Sequence, residues 1–357
     1  MNTFLKISLI FIATITLVSC SKEDSGRQPL RDYSEQYVKD LASIETFMKT
    51  HYMTVVNNPG ATDDQDVTFT LIPEGGTQVS IWDQTTYPIA SREVTVKQND
   101  EDITYKIYYI KLREGSGPNS NSPCNVDRVL TAYKGEYIFE KVEEDDNGNE
   151  VRTIISKEFE TLVNPQTYFN LTGVIRGWSE IFPLFKSGSY NSNQDGTISY
   201  TNFGAGIMLI PSGLAYFGSS TGGIPSYSPL IFNFKLYEID RVDQDGDGIF
   251  SYQEDLNGDG YVLRLEEGVI NPDDTDGDET PDFLDTDDDG DFFTTKSETS
   301  YVHPNDLLEK VRYYPFNGAA IDDPTTPFVD ETKGVPDCSG NFTNPTRLRK
   351  YRDATCH

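Results

Sequence analysis

The chain has 357 residues, room for two domains or for one domain with appendages. Its 21 Tyr and 20 Phe point to a β-rich soluble core, and its net charge of −29 argues against nucleic acid as a partner, since neutralising phosphates takes Lys and Arg. The charge is concentrated: residues 240–291 hold 20 Asp and Glu against two Arg, more than half of the net charge in one seventh of the chain.

In chain order, residues 1–20 read as a targeting segment. Lys6 precedes the apolar run Ile7 to Val18, which is too short to serve well as a membrane-spanning helix. The run ends in Leu17-Val18-Ser19-Cys20. A Cys directly after a small residue resembles a bacterial lipobox, which implies lipid attachment at Cys20 and a membrane partner for the mature chain. Several acyl chains, at about 0.8 kcal/mol per buried CH₂, make such an anchor stable. Ser21 after the Cys implies sorting to the outer membrane, periplasmic or surface face. Glu23 and Asp24 suit either surface display or a plain solvated tether over residues 21–33.

Residues 34–104 form an N-terminal extension. Ser34 suits the start of a helix running to about His51, with Val38, Leu41, Ile44, Phe47 and Met48 on one apolar face. From Val67 the pattern changes to period two. Strands are predicted at Thr68–Ile72, Gln78–Trp82, Arg92–Lys97, Tyr105–Leu112, Val129–Phe139, Thr153–Phe159, Ile207–Ile210 and Leu230–Ile239. One brief helix is predicted within Ile175–Phe185. Many antiparallel strands around one short helix make an α+β domain.

Six segments within residues 105–240 occur in the order found in FKBP-type peptidyl-prolyl isomerases. They are Lys111-Leu112-Arg113-Glu114-Gly115-Ser116-Gly117, Ala132-Tyr133-Lys134-Gly135, Phe159-Glu160, Val174-Ile175-Arg176-Gly177-Trp178, Ile210-Pro211-Ser212-Gly213-Leu214-Ala215-Tyr216 and Pro225 to Leu236. The resemblance implies an antiparallel sheet wrapped around a short helix, and proline-containing polypeptides as substrates. Trp178 would floor a pocket for the prolyl ring, walled by Tyr133, Phe159, Phe169, Val174, Ile175 and Phe232. The Ile175 N–H and the Tyr216 hydroxyl would hold peptide carbonyls, and Ile224 would lie on the loop above. An X–Pro bond resists rotation through amide resonance, so a dry pocket that favours the twisted amide needs no nucleophile and no cofactor.

The chain departs from that family in four places, one of them the short segment Thr161–Pro165, which lacks the Arg often found there. Glu160 stands where the family has Asp after the Phe. Phe217 interrupts the family's Ala-Tyr-Gly. About twenty residues, near Gly188–Ala205, are inserted ahead of the Ile-Pro-Ser strand, with Asn191–Gly196 suited to a hairpin tip.

The acidic segment, residues 243–298, carries four copies of a twelve-residue calcium loop, whose ligands fall at positions 1, 3, 5, 7, 9 and 12 with Gly preferred at 6. The first offers Asp243, Asp245, Asp247, the Ile249 carbonyl, Ser251 and Glu254. The second offers Asp255, Asn257, Asp259, the Tyr261 carbonyl and Glu266, with an apolar position 9. The third offers Asp274, Asp276, Asp278, Asp282 and Asp285, with Glu279 at the turn. The fourth offers Asp287, Asp289, Asp291, Thr295 and Glu298, with Phe292 there. Glu254 and Asp255 are adjacent, so loop follows loop with no helix between. This resembles thrombospondin type 3 arrays and implies structural calcium; a disordered acidic tail is the alternative.

Residues 299–357 are rich in Pro, Gly and Asp. Their basic end, Arg347, Arg349, Lys350 and Arg352, either docks on the acidic repeats or is a solvated surface. Cys338 and Cys356 are near enough in sequence to pair, or they stay reduced; Cys124 is then left free. The expected function is a lipid-anchored isomerase that assists folding of envelope proteins and carries a calcium-stabilised extension. Two other readings use the same residues: a non-catalytic peptide-binding module, or a calcium-dependent surface adhesion or spacer element.

Overall fold

The structure, a computed structural model, describes residues 29–118 and 120–356. Cys20, the apolar run before it and most of the tether lie outside the described residues. No helix among the described residues is long and apolar enough to cross a membrane.

The elements in chain order are α1 (Tyr33–Thr50), β1 (His51–Val55), β2 (Val67–Leu71), β3 (Ile89–Gln98), β4 (Glu101–Arg113), β5 (Arg128–Glu144), β6 (Glu150–Leu162) and β7 (Phe169–Asn170). They continue with α2 (Arg176–Ile181), β8 (Ser189–Ser192), β9 (Ile198–Thr201), β10 (Gly204–Ile210), β11 (Leu230–Asp240), α3 (Thr295–Glu298), β12 (Ser300–Val302) and β13 (Val311–Tyr313). The main sheet is antiparallel in the order β3-β4-β10-β11-β5-β6, and β7 pairs with β5. The fold is α+β, mostly sheet with few helices.

Both faces of the sheet are covered. Met208, Ile210, Phe232 and Phe234 face α2 and its sequel, packing with Trp178, Ile181, Phe182 and Phe185. Ile207, Leu209 and Ile231 face the other way and pack with Ile44, Phe47 and Met48 of α1. Successive residues of a strand point to opposite faces, so β10, buried along its whole length, reads as an unbroken apolar run. The apolar stripe predicted for the first helix is therefore half of a core. The boundary expected at 104/105 falls inside β4, which pairs with β3 along its length.

One predicted strand is absent. Gln78–Trp82 turns instead of extending, because two of its N–H groups are taken by the α1–β1 junction: Ile81 donates to the His51 carbonyl at 2.7 Å and Trp82 to the Met48 carbonyl at 3.0 Å. Ile81 thereby plugs the core beneath α1. The insertion forms the β8–β9 hairpin, with its turn at Asn193–Gly196, as the polar run suggests.

α1 is also held by a buried polar contact. Asp40, 1% exposed, accepts from the Ser212 N–H at 2.7 Å and the Ser212 hydroxyl at 2.6 Å. Removing it strands two buried donors, each hydrogen bond to a charged group contributing about 1.5–3 kcal/mol. Asp40→Ala is expected to lower stability by at least that amount in urea unfolding; a change under 0.5 kcal/mol would refute the role.

After β11 the chain has little regular structure. Cys338 and Cys356 form a disulfide, and Cys124 is free and buried. Burial among Val126, Val262 and Phe283 raises the Cys124 thiol to about 12. The native thiol is expected to resist a thiol reagent at pH 8 and to react after denaturation; rapid native labelling would contradict this.

Candidate functional site

The aromatic residues singled out in the sequence converge. A cavity of about 470 Å³ is lined by Tyr133, Phe159, Glu160, Phe169, Val174, Ile175, Trp178, Tyr216 and Phe232, with Gly173, Arg176 and Ala215 at its edges. Trp178 is 4% exposed and stands edge-on to Tyr133, Phe169, Phe182 and Phe232, with ring centroids 5.1–5.5 Å away. Its indole nitrogen is buried without a hydrogen-bond partner. Ile224 is the exception among the predicted residues. A tight turn, with its N–H donating to the Thr221 carbonyl, tucks its side chain into the core, 3% exposed.

Strand register explains how neighbouring residues of β6 both reach the cavity. Gly135 pairs with Glu160, but Glu136 pairs with Glu158, so Phe159 is the extra residue of a bulge. Consecutive strand residues normally face opposite ways, and a bulge re-aims one of them. Gly135 is required opposite it, because a Cβ there would collide with the Phe159 ring. Gly135→Ala is expected to push that wall aside at about 1–3 kcal/mol. Affinity for a proline peptide should fall in calorimetry while the far-ultraviolet spectrum stays native; unchanged affinity would refute the constraint.

The polar groups lie at the rim. The Tyr133 hydroxyl donates to Glu160 Oε2 at 2.8 Å, so the longer carboxylate reaches a tyrosine. Burial first, and Glu160 second, raise the Tyr133 pKa. The same two causes raise Tyr216, which is 39% exposed. Both hydroxyls stay protonated and able to donate. Ile175 sits at the N-cap of α2 in extended conformation, where the first N–H groups of a helix have no partner within it. The cavity therefore offers apolar walls, a buried floor and donors at one edge. It has no nucleophile–base pair.

Phe217, which interrupts the Tyr216-Gly218 turn, has φ +45° and stacks on Tyr33 of α1 at 3.8 Å. With Asp40 on Ser212, this ties the rim loop to the N-terminal helix. The insertion serves docking of α1 and leaves Tyr216 on the cavity.

The acidic segment forms four loops of one geometry. In the first three, the position-1 Asp accepts from the N–H groups of positions 4 and 6: Asp243 from Gly246 and Gly248, Asp255 from Gly258 and Gly260, Asp274 from Gly277 and Glu279. In the fourth, Asp287 accepts from Phe292. Position 6 is left-handed in all four, at φ +106°, +88°, +77° and +76°. Glu279 and Phe292 therefore bear a strain that glycine avoids.

Carboxylate oxygens converge within 4.8 Å of one another in Asp243/Asp245/Asp247, Asp274/Asp276/Asp278 and Asp287/Asp289/Asp291. Among the described residues, thirteen buried side-chain polar atoms lack a partner, and eleven are carboxylate oxygens of this segment. Burial, and then neighbouring carboxylates, raise Glu254 to about 11 and Glu298 to about 8. Buried anions without cations are costly, so this donor set fits a hard, oxygen-seeking cation.

Several predicted ligands also make contacts within the protein. Glu266 leaves the second loop to pair with Lys97 at 2.8 Å, and no carboxylate group gathers there. Asp282 accepts from the Thr275 N–H and hydroxyl, both at 2.7 Å. Asp285 accepts from the Asp287 N–H. The Ser251 hydroxyl accepts from Gln244 N–H at 3.1 Å. Ile249 and Tyr261, offered for their backbone carbonyls, anchor their loops through buried side chains, and the Tyr261 hydroxyl donates to the Glu180 carbonyl in α2. Asp288 sits at an even loop position, outside the spacing that marks the loop ligands. It is nonetheless 1% exposed and raised to about 10, chiefly by burial.

The tail is no separate element. Tyr351 is buried with Ile249 and Val335. Of the basic residues, Arg352 reaches the repeats, at 3.2 Å from Thr275 Oγ1, while Arg347 and Arg349 hold tail carbonyls.

Residues 244–328 match the family model described as BamM C-terminal, a span that crosses the boundary expected at 298/299. No curated protein matches the chain. Among solved structures it is similar to a peptidyl-prolyl cis-trans isomerase from Pseudomonas syringae pv. tomato, at 22% identity and TM-score 0.26, covering 41% of this chain and 81% of that one. It is also similar to FkpA from Escherichia coli, at 25% identity and TM-score 0.23, covering 38% of this chain and 48% of that one.

Proposed function

We propose that residues 105–240 act as an FKBP-type peptidyl-prolyl cis–trans isomerase on envelope or surface proteins. Acylated Cys20 would hold it at the outer membrane, and calcium would brace residues 243–298. The observation that carries the reading is the cavity itself: five aromatic side chains around buried Trp178, with Tyr133–Glu160 and Tyr216 at the mouth. A prolyl ring fits the apolar floor, and the rim donors face the flanking carbonyls. Excluding water favours the twisted amide, which has lost its resonance and charge separation.

The test is cis-to-trans conversion of an Ala-X-Pro-Phe peptide by the protein. A rate equal to the uncatalysed one sinks the enzyme reading; saturable binding of the same peptide would then leave a binding module. For the acidic segment, calorimetry should show calcium uptake up to the millimolar range typical of extracellular sites, about 10⁻⁴ to 10⁻³ M. Absence of any heat over that range would sink the metal reading.

A further inference from the structure

Asp247, Glu254 and Asp288 are 2%, 1% and 1% exposed. Their carboxylate oxygens converge within 4.8 Å of one another, in a grouping that shares Asp247 with the first-loop grouping and adds Glu254 and Asp288. Asp247 and Glu254 belong to the first loop, and Asp288 comes from the fourth.

Both Glu254 oxygens, Asp247 Oδ2 and Asp288 Oδ2 lack any hydrogen-bond partner. The other oxygens of the two aspartates are engaged: Asp247 Oδ1 accepts from the Ile249 N–H at 2.7 Å, and Asp288 Oδ1 from the Thr295 hydroxyl at 2.9 Å. Thr295 also accepts from the Asp288 N–H at 3.3 Å, so it holds Asp288 through both backbone and side chain. Protonating Glu254 would not resolve the site, because one O–H donor cannot satisfy four orphaned oxygens. A cation satisfies all the orphaned oxygens together.

We propose that Asp247, Glu254 and Asp288 form a further calcium-class cation site, distinct from the ions of the single loops, that clasps the first loop to the fourth. It rests on the reading that the loops hold calcium, and it adds a ligand that loop spacing does not supply. All three donors are hard oxygens with no His or Cys, which suits calcium over a thiophilic or nitrogen-seeking metal. The consecutive Asp287, Asp288 and Asp289 also gain a reason. Asp287 and Asp289 turn toward their own loop, while Asp288 between them turns toward the first. Tyr351, 1% exposed, packs with Ile249 of the first loop, so the disulfide-closed tail lies against that loop.

The experiment counts calcium ions by native mass spectrometry on the wild-type protein, Asp288→Asn and, as a third-loop control, Asp276→Asn. The clasp predicts one ion fewer in Asp288→Asn, one fewer in Asp276→Asn, and two fewer in the double variant. Calcium retained at the wild-type number by Asp288→Asn overturns the clasp and leaves the loop reading intact. A wild type that takes up no calcium sinks both. Should Asp288→Asn fail to fold, Thr295→Val keeps the carboxylate and removes its support. Calorimetry should then show one class of site weakened about 10-fold or more, and an unchanged titration overturns the clasp.

Discussion

Trp178→Ala should lower kcat/KM for the prolyl peptide by about 10- to 100-fold, whereas Tyr216→Phe should lower it by about 3- to 10-fold. The two figures come from different physics. Contact between the prolyl ring and the floor is an apolar burial term of about 1.5–3 kcal/mol, and each 1.36 kcal/mol is a factor of ten in rate. The tyrosine contributes one hydrogen bond, of about 0.5–1.5 kcal/mol net. Trp178 also packs against Phe182 and Phe232 in the core. Its removal therefore costs stability as well, and the assay must be run where urea unfolding shows the variant native. Equal losses for both variants, or none for Trp178→Ala, would contradict a pocket that works through its apolar floor.

Chelating calcium should loosen residues 243–356 while leaving the main sheet folded. At calcium 10 to 100 times the dissociation constant, each filled site contributes about 1.4–2.7 kcal/mol, several degrees of melting temperature for a unit of this size. The apolar support is small there: Ile249, Val335 and Tyr351 make one cluster, and Val262 with Phe283 another. Calorimetry with and without chelator should move one transition down and leave the other in place. Proteolysis should begin within the acidic loops only in the chelated sample. Coincident, calcium-independent transitions would refute the bracing role.

The two sites differ in how far they were legible in the amino-acid order. The cavity was largely legible, because its residues sit in short segments whose types and order survive on the page. Phe169 illustrates the limit, since only its packing against Tyr133 and Trp178 puts it on the wall. Ile224 shows the reverse, a residue in the right segment that the Thr221 turn sends inward. The acidic loops were legible as spacing, and all four share the left-handed sixth position. Spacing could not reveal that Lys97 draws Glu266 away, or that Thr275 occupies Asp282.

By itself, the amino-acid order determined what is local: the periodicity of α1 and the strands, the four acidic loops, and the order of the pocket segments. These follow from backbone geometry and nearest neighbours. Only the tertiary structure decided which residues meet across long separations. It made α1 one wall of the main core, turned Gln78–Trp82 away from the sheet, gave Phe217 a partner in Tyr33, and brought Asp288 to Glu254. In each case a buried group takes whichever partner packing delivers, because leaving it unpaired costs more than local preference can offset.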